Sequence, residues 1–381
     1  MTPPRRILVV VGTRPEAVKM APVIRRLRRE PAVFSTVVCA TAQHREMLDS
    51  VLSLFEIEPD VDLDLMRPDQ EVNELASRAF AALDSVLQKE KPDWLLVQGD
   101  TTSAFCAAVA AFHRGVRVGH VEAGLRTGDL TRPFPEEMNR RVADLVADAC
   151  FAPTRRAADA LAAEGVPADR IHRTGNTVVD ALEEIARRDG EVETEDLVLV
   201  TAHRRESFGP PLERIFRAVG RLARSFPQTR FVHVLHPNPN VRGAVEAADA
   251  PPNLERVEPL DYRALLRLLR RSRLVLSDSG GIQEEAPAFG KIVLVLREKT
   301  ERPEGIEAGF ARLVGTDEEK IFREASRVLS GRSDLTAAAG GANPYGDGRA
   351  SDRIASILSG APWEPFEAGA AREAASHGNG A

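Results

Sequence analysis

The stretch LVLSDSGGIQEEAPAFG at 274–290 decides how this chain is read. Leu274, Val275 and Leu276 form an apolar run too short for a helix and bounded by turn residues, which predicts a buried strand. Ser277, Asp278 and Ser279 follow, then Gly280 and Gly281, then a helix-compatible run from Ile282 to Phe289. A strand that breaks at Gly-Gly and restarts as a helix leaves backbone N–H groups pointing at the turn. The helix dipole adds partial positive charge there, and both suit a phosphate. The glycines let a ligand approach the backbone with no Cβ in the way. Glu284 and Glu285 fall in the first helical turn, where a carboxylate can accept from a ribose hydroxyl. Acidic residues are also common there for dipole reasons alone, so this stretch by itself leaves a capped helix start and a nucleotide site level.

Outward from it, apolar strand-like runs alternate with amphipathic helical patterns. ILVVVGT (7–13), TVVCAT (36–41), WLLVQGD (94–100), VGHVEA (118–123) and ACFAP (149–153) read as strands. Helices are expected near 44–55, 72–90, 102–114, 136–147 and 154–164. LVLVTA (197–202), RFVHVLH (230–236), the 274–279 run and IVLVL (292–296) repeat the pattern. This is βαβ repetition, which implies parallel sheets covered on both faces. A chain of 381 residues is too long for one ordinary core. The polar run RRDGEVETED (187–196) marks the division. The expected fold is α/β, with two doubly wound Rossmann-like domains, 1–185 and 186–360, facing a central cleft. Residues 361–381, small and rich in Gly and Ala, are expected to be disordered.

Composition excludes several classes of function. The net charge is −6 with both signs interspersed, which argues against nucleic acid. Cys39, Cys106 and Cys150 sit in apolar runs and read as small buried hydrophobes, with no metal-ligand spacing. No apolar run reaches membrane-spanning length and Met1–Arg6 lacks a signal-peptide core, so a soluble, cytoplasmic protein is expected. VGTRPE at 11–16 replaces the dinucleotide fingerprint, so no tightly held nicotinamide is expected, and no P-loop is present.

Polar residues gather where strands end, which is where such sheets keep their chemistry. Arg14 and Lys19 follow the first strand and can each meet a diphosphate, or simply begin a helix. Asp100 precedes a helix start at 101–103; capping accounts for one of Asp100 and Thr102, not both. Glu122 directly follows an apolar strand and is half buried by default. Glu136 opens a helix behind Pro133 and Pro135, where an acidic residue also has a dipole explanation. His203 ends a strand ahead of Arg204, Arg205 and Glu206, and His236 ends the next. Arg302 follows the 292–296 strand, where it reaches either a phosphate or a surface partner.

GTRPEAVKMAP, QHREMLD, QGDTTS, HVEAGLRTGD, PFPEEMNRR, TGNTVVDAL, TAHRRESFG, HPNP, SDSGGIQEEAP, KTERPEG and NPYGDGRASDRI stand in this order from about Ile7 to Leu358. The set resembles the bacterial non-hydrolysing UDP-N-acetylglucosamine 2-epimerases. That resemblance implies the two-domain GT-B-type architecture and interconversion of UDP-GlcNAc and UDP-ManNAc with no cofactor. It further implies a homodimer and a role in cell-surface polysaccharide precursors. It makes Asp100, Glu122 and Glu136 the acid/base set and puts His203 by the diphosphate. Arg14, Lys19, Ser279, Gly280, Gly281, Glu285 and Arg302 match the family's UDP-binding positions. Gln43, His44 and His236 match the region where many members bind an activating second UDP-GlcNAc. Glu46 and Asp69 depart from the family pattern there, and an acidic pair disfavours a second diphosphate. The alternatives are a glycosyltransferase on the same fold, a hydrolysing epimerase that releases ManNAc, and a non-catalytic nucleotide-sugar sensor. The carboxylates argue against the first and the last.

Overall fold

A computed structural model describes residues 3–41, 45–67, 70–335 and 342–369, with backbone alone at 45–47. Gln43, His44 and Asp69, and the side chain of Glu46, lie outside the described residues. The first half of the chain supplies strands β1 (Arg5–Val11), β2 (Phe34–Ala40), β3 (Val61–Asp62), β4 (Trp94–Gln98), β5 (Arg117–Val121), β6 (Ala149–Ala152) and β7 (Ile171–Arg173). Helices α1 (Arg14–Arg28), α2 (Arg45–Leu54), α3 (Val72–Glu90), α4 (Thr102–His113), α5 (Glu136–Val146) and α6 (Arg155–Ala163) lie between them, and α7 (Thr177–Asp189) leads out. The second half supplies β8 (Leu197–Thr201), β9 (Arg230–Val234), β10 (Leu254–Val257), β11 (Leu274–Ser277), β12 (Ile292–Val295) and β13 (Ala311–Leu313). Its helices are α8 (Pro210–Ser225), α9 (Pro239–Glu246), α10 (Tyr262–Arg271), α11 (Gly280–Glu285), α12 (Pro303–Glu307), α13 (Glu318–Leu329) and α14 (Ala350–Ser359).

Both sheets are parallel, in the orders β3-β2-β1-β4-β5-β6-β7 and β10-β9-β8-β11-β12-β13. Each order reverses once, between β1 and β4 and between β8 and β11, and such switch points leave a crevice at the strand ends. Alternation along β1 explains the layers. Ile7, Val9 and Val11 face one apolar cluster, while Leu8 and Val10 face another under α3 and α4. The cluster of Ile7 continues through Val178 and Leu182 of α7 to Tyr262, Ile282 and Val293, so one core runs beneath both sheets. Each fully buried Val or Leu in it is worth about 1.5–3 kcal/mol.

The chain end departs from expectation twice. Helix α14 packs on α1 and α7 of the first half. Asp180 of α7 accepts from the Ala350 N–H (3.2 Å), the Ser351 N–H (2.8 Å) and the Ser351 hydroxyl (2.5 Å). Chain order assigns 350–359 to the second domain, whereas packing joins it to the first. The expectation of disorder from 361 is overturned for 361–369. Phe366 is 3 % exposed, its N–H donates to the Arg173 carbonyl at 2.8 Å, and Trp363 meets His172 edge-on. Two aromatic rings supply the apolar area that the small residues around them lack, and the edge strand β7 supplies the acceptor. Residues 370–381 lie outside the described residues. Among the described residues, no helix is long and apolar enough to cross a membrane.

Candidate active site

The ends of β1, β4 and β5 form the first wall. Thr13 precedes α1 in extended conformation, and Arg14 is the first helical residue. Glu16, 2 % exposed, accepts from the Gly12 N–H at 3.1 Å and from the Thr101 hydroxyl at 2.8 Å. One carboxyl thus ties the β1 turn to the β4 turn that carries Asp100. Burial pushes Glu16 from 4.5 up to about 7, against the hydrogen bonds from Thr13, Thr101 and Gly12. A carboxyl raised in the folded state stabilises fully below its unfolded pKa, and that contribution fades as pH climbs to the folded one. Between pH 4.5 and 7 this group should therefore cost the fold about 3 kcal/mol. Urea unfolding at about pH 5 and pH 8 checks it: Glu16→Gln should lack that share of the wild-type slope, and identical slopes would refute the assignment.

Asp100 follows β4 and pairs with Arg140, while its carbonyl accepts from Asn139 at 2.9 Å. Glu136, Asn139 and Arg140 share one face of α5, so Glu136 is aimed from the same face that holds the Asp100 turn. Glu136 Oε2 is buried without a hydrogen-bond partner, and the Arg132–Pro133 and Phe134–Pro135 bonds ahead of it are cis. Glu122, directly after β5, has φ of +66°, a left-handed conformation that costs a residue with a Cβ about 1–3 kcal/mol. Its carboxylate accepts from Lys19 and, at 3.0 Å, from Gln98. Burial holds Glu122 above the ordinary carboxylate range; Lys19 opposes this and Glu284 adds to it.

The second wall comes from β8, β11 and β12. Ser279 leaves α11 without a side-chain cap, so its first-turn N–H groups stay available to a ligand. A Cβ on Gly280 would stand 2.8 Å from the Arg302 guanidinium, whereas one on Gly281 would meet nothing closer than 3.7 Å. A side chain at Gly280 would therefore displace the Arg302 guanidinium, which one at Gly281 would leave in place. Arg302 Nε donates to Glu284 Oε1 at 2.6 Å, and Lys19 approaches Glu284 Oε2 at 2.9 Å. Glu284 does not await a ribose, as its position suggested; it bridges two cations across the cleft. These lower its pKa despite its burial. Glu285 accepts from the Tyr262 hydroxyl at 3.0 Å, and burial pushes its pKa up. Arg14, from the first wall, acts electrostatically on Glu285, Tyr262, His203 and His236. His203 stacks on His236 with centroids 4.9 Å apart. Asp278 accepts the His203 and Arg204 N–H groups at 2.7 Å, and its other oxygen lies 3.6 Å from His203 Nδ1. Burial keeps His203 below the ordinary histidine range.

Glu122 and Lys19 from one half thus meet Glu284 and Arg302 from the other, with the Asp100–Arg140 pair on the first wall and His203 and an open helix start on the second. The profile of the UDP-N-acetylglucosamine 2-epimerase family matches residues 25–359. This chain belongs to that family. It is 45% identical over 361 residues to the UDP-N-acetylglucosamine 2-epimerase of Bacillus subtilis, covering 93% of this chain and 94% of that one. It also resembles the crystal structure of UDP-GlcNAc 2-epimerase from Neisseria meningitidis bound to UDP-GlcNAc. The TM-score there is 0.82 and the identity 41%, covering 93% of this chain and 99% of that one. The glycotransferase of kitacinnamycin, at 15% identity and a TM-score of 0.60 over 93% of this chain and 99% of that one, shares the fold alone. The two-domain architecture expected from the sequence is thereby borne out.

Several side chains of the site escaped the sequence reading. Gln98 ends an apolar strand and Tyr262 opens a helix, ordinary positions for either type. Glu16 has no role in the sequence pattern because its partner Thr101 arrives from a distant part of the chain, and Glu284 reads as a ribose contact for the same reason, its partners being Lys19 and Arg302. Among the described residues no group of three or more His, Cys, Asp or Glu is arranged to hold a metal ion.

Proposed function

We propose that this protein interconverts UDP-GlcNAc and UDP-ManNAc by inverting C2 of the sugar without hydrolysis. The observation that carries the reading is that Lys19 of one half and Arg302 of the other meet Glu122 and Glu284 where β5 ends, beside the β4 turn that carries Asp100; the family resemblance adds Glu136 and Arg14 to the set. The C2 proton is not adjacent to a carbonyl, so its removal alone leaves an unstabilised carbanion. Loss of UDP from C1 resolves this. The C2–H electron pair becomes the C1=C2 double bond while the C1–O pair departs with UDP, giving a 2-acetamidoglucal. Re-addition forms the C1–O bond again, and a proton reaches C2 on the opposite face. One carboxylate takes the first proton and a protonated one delivers the second. The cations, His203 and the N–H groups of Gly280 and Gly281 hold UDP in place throughout. No hydride changes hands, so no nicotinamide is required. Supply of cell-surface polysaccharide precursors rests on the family resemblance.

Incubation with UDP-GlcNAc in D2O without acceptor tests the reaction. Deuterium at C2 together with UDP-ManNAc is the expected result. Free ManNAc would point to hydrolysis instead, and no exchange at all would point to a transferase or a sensor.

A further inference from the structure

His120 lies in β5, entirely buried, and takes no part in the chemistry described above. Both of its ring nitrogens meet oxygens. Nε2 lies 2.8 Å from the Gly99 carbonyl, and Nδ1 lies 2.6 Å from Asp144 Oδ1. A backbone carbonyl only accepts, so Nε2 carries a hydrogen. Asp144 Oδ2 accepts from the Gly124 N–H at 3.2 Å and from the Arg126 guanidinium at 2.8 Å, whose positive charge favours Asp144 as a carboxylate and so a hydrogen on Nδ1 too. The facing groups are Gly99 from the β4 turn, Asp144 from α5, and Arg126 with Gly124 from the segment after β5. The Cys150 thiol beside Asp144 is kept neutral by burial. Desolvation alone would strip His120 of its charge, but Asp144 outweighs it and holds the imidazole above its ordinary pKa.

The three elements joined here are those that carry the carboxylates. Gly99 precedes Asp100, Gly124 follows Glu122 by two residues, and Asp144 shares α5 with Glu136. Gly124 adds a steric constraint, since a Cβ there would stand 2.2 Å from the Ala157 carbonyl oxygen. We infer that His120 is a positioning residue that acts as an imidazolium clamp, locking the Asp100 turn, the Glu122 turn and α5 into one rigid frame. The inference rests on the carboxylate roles proposed above.

The first test needs no activity. In full-length protein labelled with 15N-histidine and saturated with UDP, both ring nitrogens of His120 should bear protons at about pH 8. A free histidine is roughly 97% neutral there. The resonances are assigned by their loss in His120→Asn. An unprotonated ring nitrogen at that pH overturns the clamp. The second test separates the two ends: His120→Gln can serve Gly99 but not Asp144, and His120→Asn the reverse. Each should lower kcat roughly 10- to 100-fold through misplaced carboxylates, with the Kd for UDP changed less than about threefold. A role confined to folding would lower the fraction able to bind UDP and leave kcat per bound site intact. Wild-type kcat in either variant also overturns the proposal, and if neither variant folds, the wild-type resonances decide alone. Should the carboxylates prove dispensable while His120 is doubly protonated, it is the catalytic reading that fails.

Discussion

Replacing Asp100, Glu122 or Glu136 by its amide is expected to slow epimerisation by roughly 10²–10⁴-fold in each case, the usual contribution of one positioned acid or base. The Kd for UDP should hold if, as proposed, its contacts come from Arg14, Lys19, Arg302 and the start of α11. Stability should respond differently at the three positions. Asp100→Asn breaks the pair with Arg140, and Glu122→Gln removes one of two carboxylates from Lys19, whereas Glu136 Oε2 has no partner to lose. Glu136→Gln should therefore be the most stable of the three and the cleanest probe of chemistry. A variant that impairs re-addition more than elimination should release UDP and 2-acetamidoglucal, which assigns its carboxylate to the second half-reaction. Wild-type turnover in all three amides would remove these residues from the mechanism.

Much of this was legible in the sequence, and the rest was hidden for definite reasons. The 274–290 stretch reads correctly because its strand, its Gly-Gly break and its helix are all local. Strands β3 and β13, of two and three residues, are too short for an alternation to register. Glu284 illustrates a different limit. Its place one turn into α11 suggests a ligand contact, and only the arrival of Lys19 from α1 and Arg302 from after β12 turns it into a bridge. The choice between Gly280 and Gly281 turns on the same arginine. The order of Phe366 and Trp363 was signalled by two aromatics within a run of small residues, a cue outweighed in the sequence by its Gly and Ala content.

Arg302→Met should weaken UDP binding by roughly 10- to 150-fold, the equivalent of the ~1.5–3 kcal/mol carried by a hydrogen bond to a charged group. The same change strands part of a buried charge. Lys19, Glu122, Glu284 and Arg302 form a balanced set of two cations and two carboxylates, with Glu284 only 2 % exposed. Breaking one side of such a pair costs about 3–5 kcal/mol, and the lower end applies here because Arg302 keeps some solvent contact. Two explanations of weak binding then compete, a lost phosphate contact and a disordered site, and a second substitution separates them. Arg302→Met with Glu284→Gln removes both partners, leaves Lys19 paired with Glu122, and should recover most of the stability. Affinity for UDP should stay low in the double variant, because nothing replaces the guanidinium beside Gly280. Recovery of both quantities together would mean that Arg302 serves the fold and that the diphosphate is held elsewhere; unfolding by urea and titration calorimetry with UDP on the wild type, Arg302→Met and the double variant give the answer.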